Sequence, residues 1–188
     1  MDKLNNITKK KWILDFNKVF FLWHSINTPV ILDFEDNSVC LNFSNNILPY
    51  KISDNTLFIG ENIKYKILEI NDQQLILSSG EEMNYFQSLG KGKFNIGDED
   101  LLKTIIQSKG WNLFEASTKF NEFFIEIYND LQEFVRGGIY FISYFNKNLL
   151  LIINIDGEIQ SKVYLIKSFN RSKISLMPFN EESLIELV

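Results

Sequence analysis

The sequence holds one cysteine and one histidine among its 188 residues, and it lacks any long apolar run. A single cysteine, Cys40, excludes an intramolecular disulfide and with it the usual framework of small secreted proteins. The unbroken apolar run Val19–Trp23 is too short for a signal-peptide core. No stretch approaches the roughly 20 apolar residues of a membrane-spanning helix. These absences predict a cytoplasmic protein without a membrane span.

Positive charge is also scarce, because 19 Lys and Arg residues face 24 Asp and Glu residues for a net charge of −5. Proteins that bind nucleic acid neutralise phosphates with a basic patch. Here the only dense basic cluster is Lys9-Lys10-Lys11, which is typical of a solvated end before a helix. The composition therefore predicts no nucleic-acid partner.

Residues that commonly carry catalysis are few. No serine or cysteine is placed by the sequence to pair with His24, the one histidine, so a structural or surface role is favoured. Cys40 lies on the polar side of an alternating segment, and it acts as a nucleophile only if a cation or helix N-terminus stabilises its thiolate. We therefore expect no enzyme activity.

Three other segments have partial features of ligand sites. Asp33, Glu35 and Asp36 surround a predicted turn, and Asp98–Asp100 begin a predicted helix, but neither set has calcium-loop spacing. The run Gly90–Lys93 resembles a phosphate loop, yet no Ser or Thr follows it and no helix starts there. We therefore predict that the two acidic sets form a turn and a helix cap, and that residues 80–97 form a linker. We expect no metal and no cofactor.

Apolar residues make up 45% of the chain and aromatic residues 14%, enough for a substantial core. In the first half, apolar side chains at three- and four-residue spacing predict an amphipathic helix over Thr8–Ile26. Period-two alternation then predicts six short strands joined by tight turns up to Ser79. In the second half we predict a helix starting at Asp98, a long amphipathic helix over Phe120–Phe134 capped by Gly137-Gly138, and four strands up to Met177.

The two halves match at an offset of 99 residues. This offset aligns Trp12 with Trp111, Tyr65-Lys66-Ile67 with Tyr164-Leu165-Ile166, and Asn71 with Asn170. The middle strands do not align at that offset. The sequence therefore predicts two halves of one style and leaves a true duplication open.

The aromatic content, 17 Phe, 7 Tyr and 3 Trp, has three interpretations. The first is an ordinary core built from phenylalanine. The second is a curled sheet that encloses an apolar cavity for a small ligand. The third places Phe20-Phe21 or Phe123-Phe124 at a protein interface.

A set of short motifs in the first half resembles the lipocalin-like domains of bacterial proteins. The matching residues are Lys11-Trp12, Tyr50-Lys51-Ile52, Asp54-Asn55-Thr56-Leu57, Tyr65-Lys66-Ile67, and Asn71 with Leu75-Ile76-Leu77. The resemblance implies a β-barrel, which in that family binds a small apolar molecule or has no known ligand.

Together these patterns predict an α+β fold, in which each antiparallel meander packs against a long amphipathic helix. The predicted domains are residues 1–88 and 95–188. The predicted function is non-enzymatic recognition of a partner protein through a sheet or an aromatic helix surface. The alternative is a lipocalin-like carrier of a small hydrophobic ligand, with a cavity lined by Phe34, Leu41, Tyr50 and Tyr65.

Overall fold

The structure is a computed structural model that describes residues 7–15, 31–35, 38–41, 47–113, 116–158, 162–178 and 183–188. It divides the chain into two compact units, Met1–Gly90 and Lys91–Val188, which we call the first and second units. The domain boundaries predicted from the sequence stay a prediction.

The first unit is an antiparallel barrel. Every strand pairs with the next along the chain, and the first strand also pairs with the eighth, which closes the sheet. From β4 to β8, turns of two or three residues join consecutive strands, as in small up-and-down barrels. The strands are β1 (Lys11–Leu14), β2 (Ile31–Glu35), β3 (Ser38–Leu41), β4 (Ile47–Ser53), β5 (Thr56–Ile59), β6 (Ile63–Ile70), β7 (Gln74–Ser79) and β8 (Glu82–Leu89).

The second unit begins with a short helix and continues as a second antiparallel meander of eight strands. The backbone N–H of Asn112 donates to the carbonyl of Val188 at 2.9 Å, so the two ends of this sheet also meet. The elements are α1 (Asp98–Ile106), β9 (Gly110–Leu113), β10 (Ala116–Phe120), β11 (Phe124–Tyr128), β12 (Phe134–Phe145), β13 (Asn148–Ile155), β14 (Lys162–Phe169), β15 (Ile174–Pro178) and β16 (Ile185–Leu187).

Each unit has its own apolar core, built from alternate positions of its strands because successive side chains of a strand point to opposite faces. In the first unit Leu57 and Ile59 of β5, and Leu75 and Leu77 of β7, are fully buried. In the second unit α1 packs Leu102, Ile105 and Ile106 into the core beside Trp111.

The predicted α+β class is wrong: the described residues form two antiparallel β-sheets, and the longest helix among them is α1, with nine residues. The long helix predicted over Phe120–Phe134 is replaced by the end of β10, all of β11 and the start of β12. The apolar residues of this segment lie three and four apart because they come from short strands and the turns between them, and this spacing imitates a helix. Ile125, which has no place on the predicted helix face, is the residue that is wholly buried.

The predicted helix over Thr8–Ile26 is also wrong at Lys11–Leu14, although Thr8 itself is helical. Lys11–Leu14 form β1, which pairs with both β2 and β8. Residues 16–30, and with them His24 and Phe20-Phe21, lie outside the described residues. Tertiary pairing with two neighbouring strands outweighs the local helical pattern here.

Gly138, predicted to cap a helix, and Gly92, predicted to lie in a linker, both pack closely against backbone. Gly138 lies inside β12, where an added Cβ would stand 2.0 Å from the carbonyl oxygen of Asn154 on β13. Gly92 packs as closely, with an added Cβ 2.0 Å from the carbonyl oxygen of Lys147. The N–H groups of Gly92 and Phe94 donate to Asn146 and Lys147 at 2.9 Å. The linker predicted over residues 80–97 is therefore wrong in two places: Glu82–Leu89 form β8, and Gly92 and Phe94 are bonded to the turn between β12 and β13.

The ten predicted strands are confirmed, and so is the short helix at Asp98. The structure adds β1 and β8 to the first unit. In the second unit it adds β9, β10, β11 and β16.

The two units share details as well as strand order. The β6–β7 pairing shifts register between Ile67 and Glu69, and the β14–β15 pairing shifts between Ile166 and Ser168, each 99 residues later. The turns after these strands match too. The side chain of Asn71 accepts from the N–H groups two and three residues on, at 2.9 and 2.8 Å, and that of Asn170 does the same at 2.8 and 3.0 Å. The chain therefore repeats one structural plan.

Candidate functional site

The residues predicted to line a ligand cavity lie in the barrel of the first unit. Phe34 on β2 is buried and meets the ring of Tyr50 on β4 edge to face, with 5.0 Å between ring centroids. Tyr65 on β6 is partly buried and packs against the same core, while Leu41 ends β3. Burial raises the pKa of the Tyr65 hydroxyl, and the Glu82 carboxylate raises it further. The binding of a ligand by these residues stays a prediction.

Of the residues weighed for chemistry, His24, Asp36 and the side chain of Cys40 lie outside what the structure describes. Cys40 on β3 pairs with Asp33 and Ile47 through the backbone, and Asp33 forms an ion pair with Lys11. The carboxylate of Asp98 accepts from the N–H of Asn95 at 2.7 Å, which organises the start of α1. Across the described ranges no three His, Cys, Asp or Glu side chains are grouped to hold a metal ion.

Exposed apolar side chains concentrate in one segment of the second unit. Twelve large apolar residues are exposed among the described residues, and five of them fall within the thirteen residues of Phe123–Val135. We call these five the aromatic face. They are Phe123, Phe124, Leu131, Phe134 and Val135.

The strand pairing of β11 and β12 explains this exposure. Ile125 and Ile127 point into the core, so the alternate residues of β11, Phe124 and Tyr128, point outward. Tyr128 pairs with Phe134 of β12, and their rings meet edge to face with centroids 6.2 Å apart. Two paired strands thus carry exposed aromatic rings, with Phe124 57% and Phe134 61% exposed.

Charged groups border these rings. The ammonium group of Lys119 on β10 lies 4.9 Å from the Tyr128 ring centroid, within the range of a cation–π contact. The Tyr128 hydroxyl donates to Glu126 at 2.9 Å, and this bond raises the pKa of Tyr128. Lys103 of α1 lies 5.1 Å from the ring of Phe123. The face is therefore amphipathic, with apolar rings next to charges of both signs.

The loop from β11 to β12 extends the face. The side-chain oxygen of Asn129 accepts from the N–H groups of Leu131 and Glu133 at 3.0 and 2.9 Å. Gln132 takes a positive φ of 61°, a left-handed conformation that is uncommon for residues other than glycine. This fixed turn presents Leu131 to solvent, 77% exposed.

A polar cleft of about 510 Å³ adjoins the same loop. Strands β9, β10 and β16 supply its other walls. Its lining residues are Asn112, Ser117, Asn129, Asp130, Gln132, Glu186 and Val188.

Sequence reasoning found part of this site. The sequence predicts Phe123-Phe124 as one candidate interface pair, and both side chains are exposed. The helical interpretation misses Leu131, Val135 and the cleft, because it places Asn129-Asp130 inside a helix. Asn and Asp next to each other are a turn signal, and two strands on either side of that turn would have predicted the β11–β12 hairpin.

Comparison with known proteins gives no family: no protein-family model matches the chain, and no curated protein matches it. The closed eight-stranded meander of the first unit is compatible with the lipocalin-like resemblance, because lipocalins are up-and-down barrels of eight strands. Within the described part of the chain, no helix has the length and apolarity needed to cross a membrane.

Proposed function

We propose that this chain is a non-enzymatic binding protein that recognises a partner protein through the aromatic face of its second unit. The observation that carries the proposal is the concentration of exposed apolar side chains in Phe123–Val135. Clustered apolar surface is costly in water, and where it persists it marks interaction sites.

The chemistry of the face suits a protein partner. Aromatic rings supply large contact areas with few rotatable bonds, and they are enriched at the energetic centres of protein interfaces. The backbones of Phe124 and Phe134 are held by strand pairing, so little backbone entropy is lost when a partner covers their side chains.

Capture from extracts of the source cell tests the proposal. The full-length chain is compared with a face variant, Phe124→Ser plus Phe134→Ser, and with a control, Leu68→Ser plus Ile96→Ser. The control residues are also exposed and apolar but lie outside the face. A partner should be retained by the wild type and the control and lost from the face variant.

The captured protein is then purified and titrated against each form by calorimetry. Binding to the wild type should be at least about tenfold tighter than to the face variant, since central aromatic anchors each contribute 1 kcal/mol or more. Equal affinity for the two forms would refute the proposal.

The alternative is a lipocalin-like carrier, which the closed barrel of the first unit favours. An eight-stranded barrel is wide enough to hold one small ligand or to be filled by its own side chains. Native mass spectrometry of the chain purified from its own cell distinguishes a barrel that holds a ligand from one filled by its own side chains. A bound apolar molecule that is released in a Tyr50→Ala variant would support the carrier.

A further inference from the structure

The cleft of the second unit lies beside the aromatic face because one loop belongs to both. Asn129, Asp130 and Gln132 line the cleft, while Leu131 of the same loop belongs to the face. A partner segment that covers the face around Leu131 therefore passes the mouth of the cleft.

Some side chains that line the cleft are already hydrogen-bonded or ion-paired, and others are not. The Asn129 side chain is occupied by Leu131 and Glu133, and Glu186 forms an ion pair with Lys173. The others are still available: within the described residues, the side chains of Asp130, Asn112, Ser117 and Gln132 make no hydrogen bond or ion pair.

These available groups offer hydrogen-bond acceptors at four places. They comprise the Asp130 carboxylate, the oxygens of two primary amides, which also carry NH2 donors, and a hydroxyl. An arginine guanidinium carries five N–H donors in a planar fork and has no acceptor, so it complements a set of this kind. A volume of about 510 Å³ also leaves room for the side chain and its water.

The charge of the surrounding segment agrees. Residues 121–135 hold four carboxylates, Glu122, Glu126, Asp130 and Glu133, and no lysine or arginine. Lys103 and Lys119 reach this region from α1 and β10, over the rings of Phe123 and Tyr128, so the loop side keeps an excess of negative charge.

We infer that the cleft is a socket for an arginine side chain of the partner, next to apolar partner residues on the aromatic face. This inference rests on the proposed function and names the chemistry of its partner: a basic and apolar segment. Asp130 supplies the opposing charge, and the amide groups of Asn112 and Gln132 fix the plane of the guanidinium.

Titration of the full-length chain with N-acetyl-arginine amide, followed by amide NMR at low salt, tests the socket. N-acetyl-citrulline amide is the matched probe, since it has the same shape without the charge. The arginine probe should cause saturable shifts at Asn112, Ser117, Asp130 and Gln132, and the citrulline probe should cause none.

Two variants locate the charge. Asp130→Asn should lower the affinity for the arginine probe about fivefold, which is the upper range for an exposed charge pair. Asp156→Asn, which removes an exposed carboxylate elsewhere in the second unit, should leave it unchanged. Equal responses to arginine and citrulline, or a response that Asp130→Asn does not weaken, would overturn the inference.

The outcomes separate this inference from the proposed function. If the face variant loses the partner while the two probes behave alike, partner binding holds and the socket is wrong. If the arginine probe binds selectively but the face variant retains the partner, then partner binding through the aromatic face is wrong. The cleft would then bind a guanidinium independently of that face.

Discussion

Trp12 and Trp111, 99 residues apart, make the same hydrogen bond. Each indole N–H donates to the backbone carbonyl five residues upstream, Ile7 at 2.9 Å and Ile106 at 2.8 Å. Both side chains are buried, at 0% and 1% exposure. In each unit this bond joins the segment that precedes the sheet to the first strand.

A lysine two residues before each tryptophan extends the correspondence. Lys10 lies 6.0 Å from the Trp12 ring and donates to the carbonyl of Asp72 at 2.6 Å, in the turn after β6. Lys109 lies 4.1 Å from the Trp111 ring and donates to the carbonyl of Ser172 at 3.4 Å, in the turn after β14. The same three parts, lysine, indole and asparagine turn, thus meet in both units.

We expect Trp12→Phe and Trp111→Phe to destabilise their own units by similar amounts. Each change leaves a buried carbonyl without its donor, which costs about 1–3 kcal/mol. Hydrogen exchange measured by mass spectrometry reports each unit separately, through peptides of β5 and of β13. A large loss of protection for one variant and none for the other would show that the two bonds are not equivalent.

Phe124→Ser and Ile125→Ser should differ sharply although the residues are neighbours. Phe124 is exposed, so its replacement should change the free energy of unfolding by less than about 0.5 kcal/mol. Ile125 is fully buried, so its replacement should cost about 2–5 kcal/mol. Urea denaturation measures both. Equal costs would contradict the outward orientation of Phe124, on which the aromatic face depends.

Gly92→Ala should destabilise the second unit, with Gly90→Ala as the matched control. The new methyl group at residue 92 would stand 2.0 Å from the Lys147 carbonyl oxygen, whereas at residue 90 nothing lies within 4 Å. Overpacking of this kind costs about 1–3 kcal/mol. Thermal unfolding should show a lower midpoint for the first variant only. Equal midpoints would mean that residues 91–94 do not pack on the turn between β12 and β13.

Tyr140→Phe should weaken the second unit at neutral pH and less so in alkali. The Tyr140 hydroxyl donates to the carbonyl of Asn121 at 2.8 Å and accepts from Gln107 at 2.6 Å. Its loss removes two hydrogen bonds, but Gln107 still donates to the Asn121 carbonyl at 3.1 Å, so we expect a cost of about 0.5–1.5 kcal/mol.

The pH dependence follows from the raised pKa of Tyr140. Burial raises it, and the Gln107 bond offsets part of the rise. Stability from an acid with a raised folded pKa is complete below the unfolded pKa, about 10, and is lost as pH rises through the folded pKa. The difference between the urea midpoints of wild type and variant should therefore be smaller at about pH 11 than at about pH 8. A gap that is constant with pH would contradict this assignment.

Much of the strand content was predictable because it depends on local alternation. The segments Leu57–Ile59 and Leu75–Leu77 alternate cleanly, and their inward residues are buried as predicted. The helix at Asp98 has acidic residues in its first turn, a local signal for a helix start. The match at an offset of 99 residues was also visible at Trp12 and Trp111.

The strands around Phe120–Phe134 were not predictable in the same way. Their apolar residues fit a helical stripe, and only pairing with β9 and β12 selects the extended form. The cleft illustrates the same limit, since Asn112, Asp130 and Glu186 are far apart in the chain and the meeting of β9 with the chain end assembles them.

The sequence by itself determined which segments alternate, where the turns fall, and that two halves follow one plan, because these properties depend on neighbouring residues. Only the tertiary structure decided that the first meander closes into a barrel, that Phe124 faces outward, and that a polar cleft adjoins it. Those outcomes depend on hydrogen bonds between strands distant in the chain, and the energy of such pairing exceeds the local preference for helix.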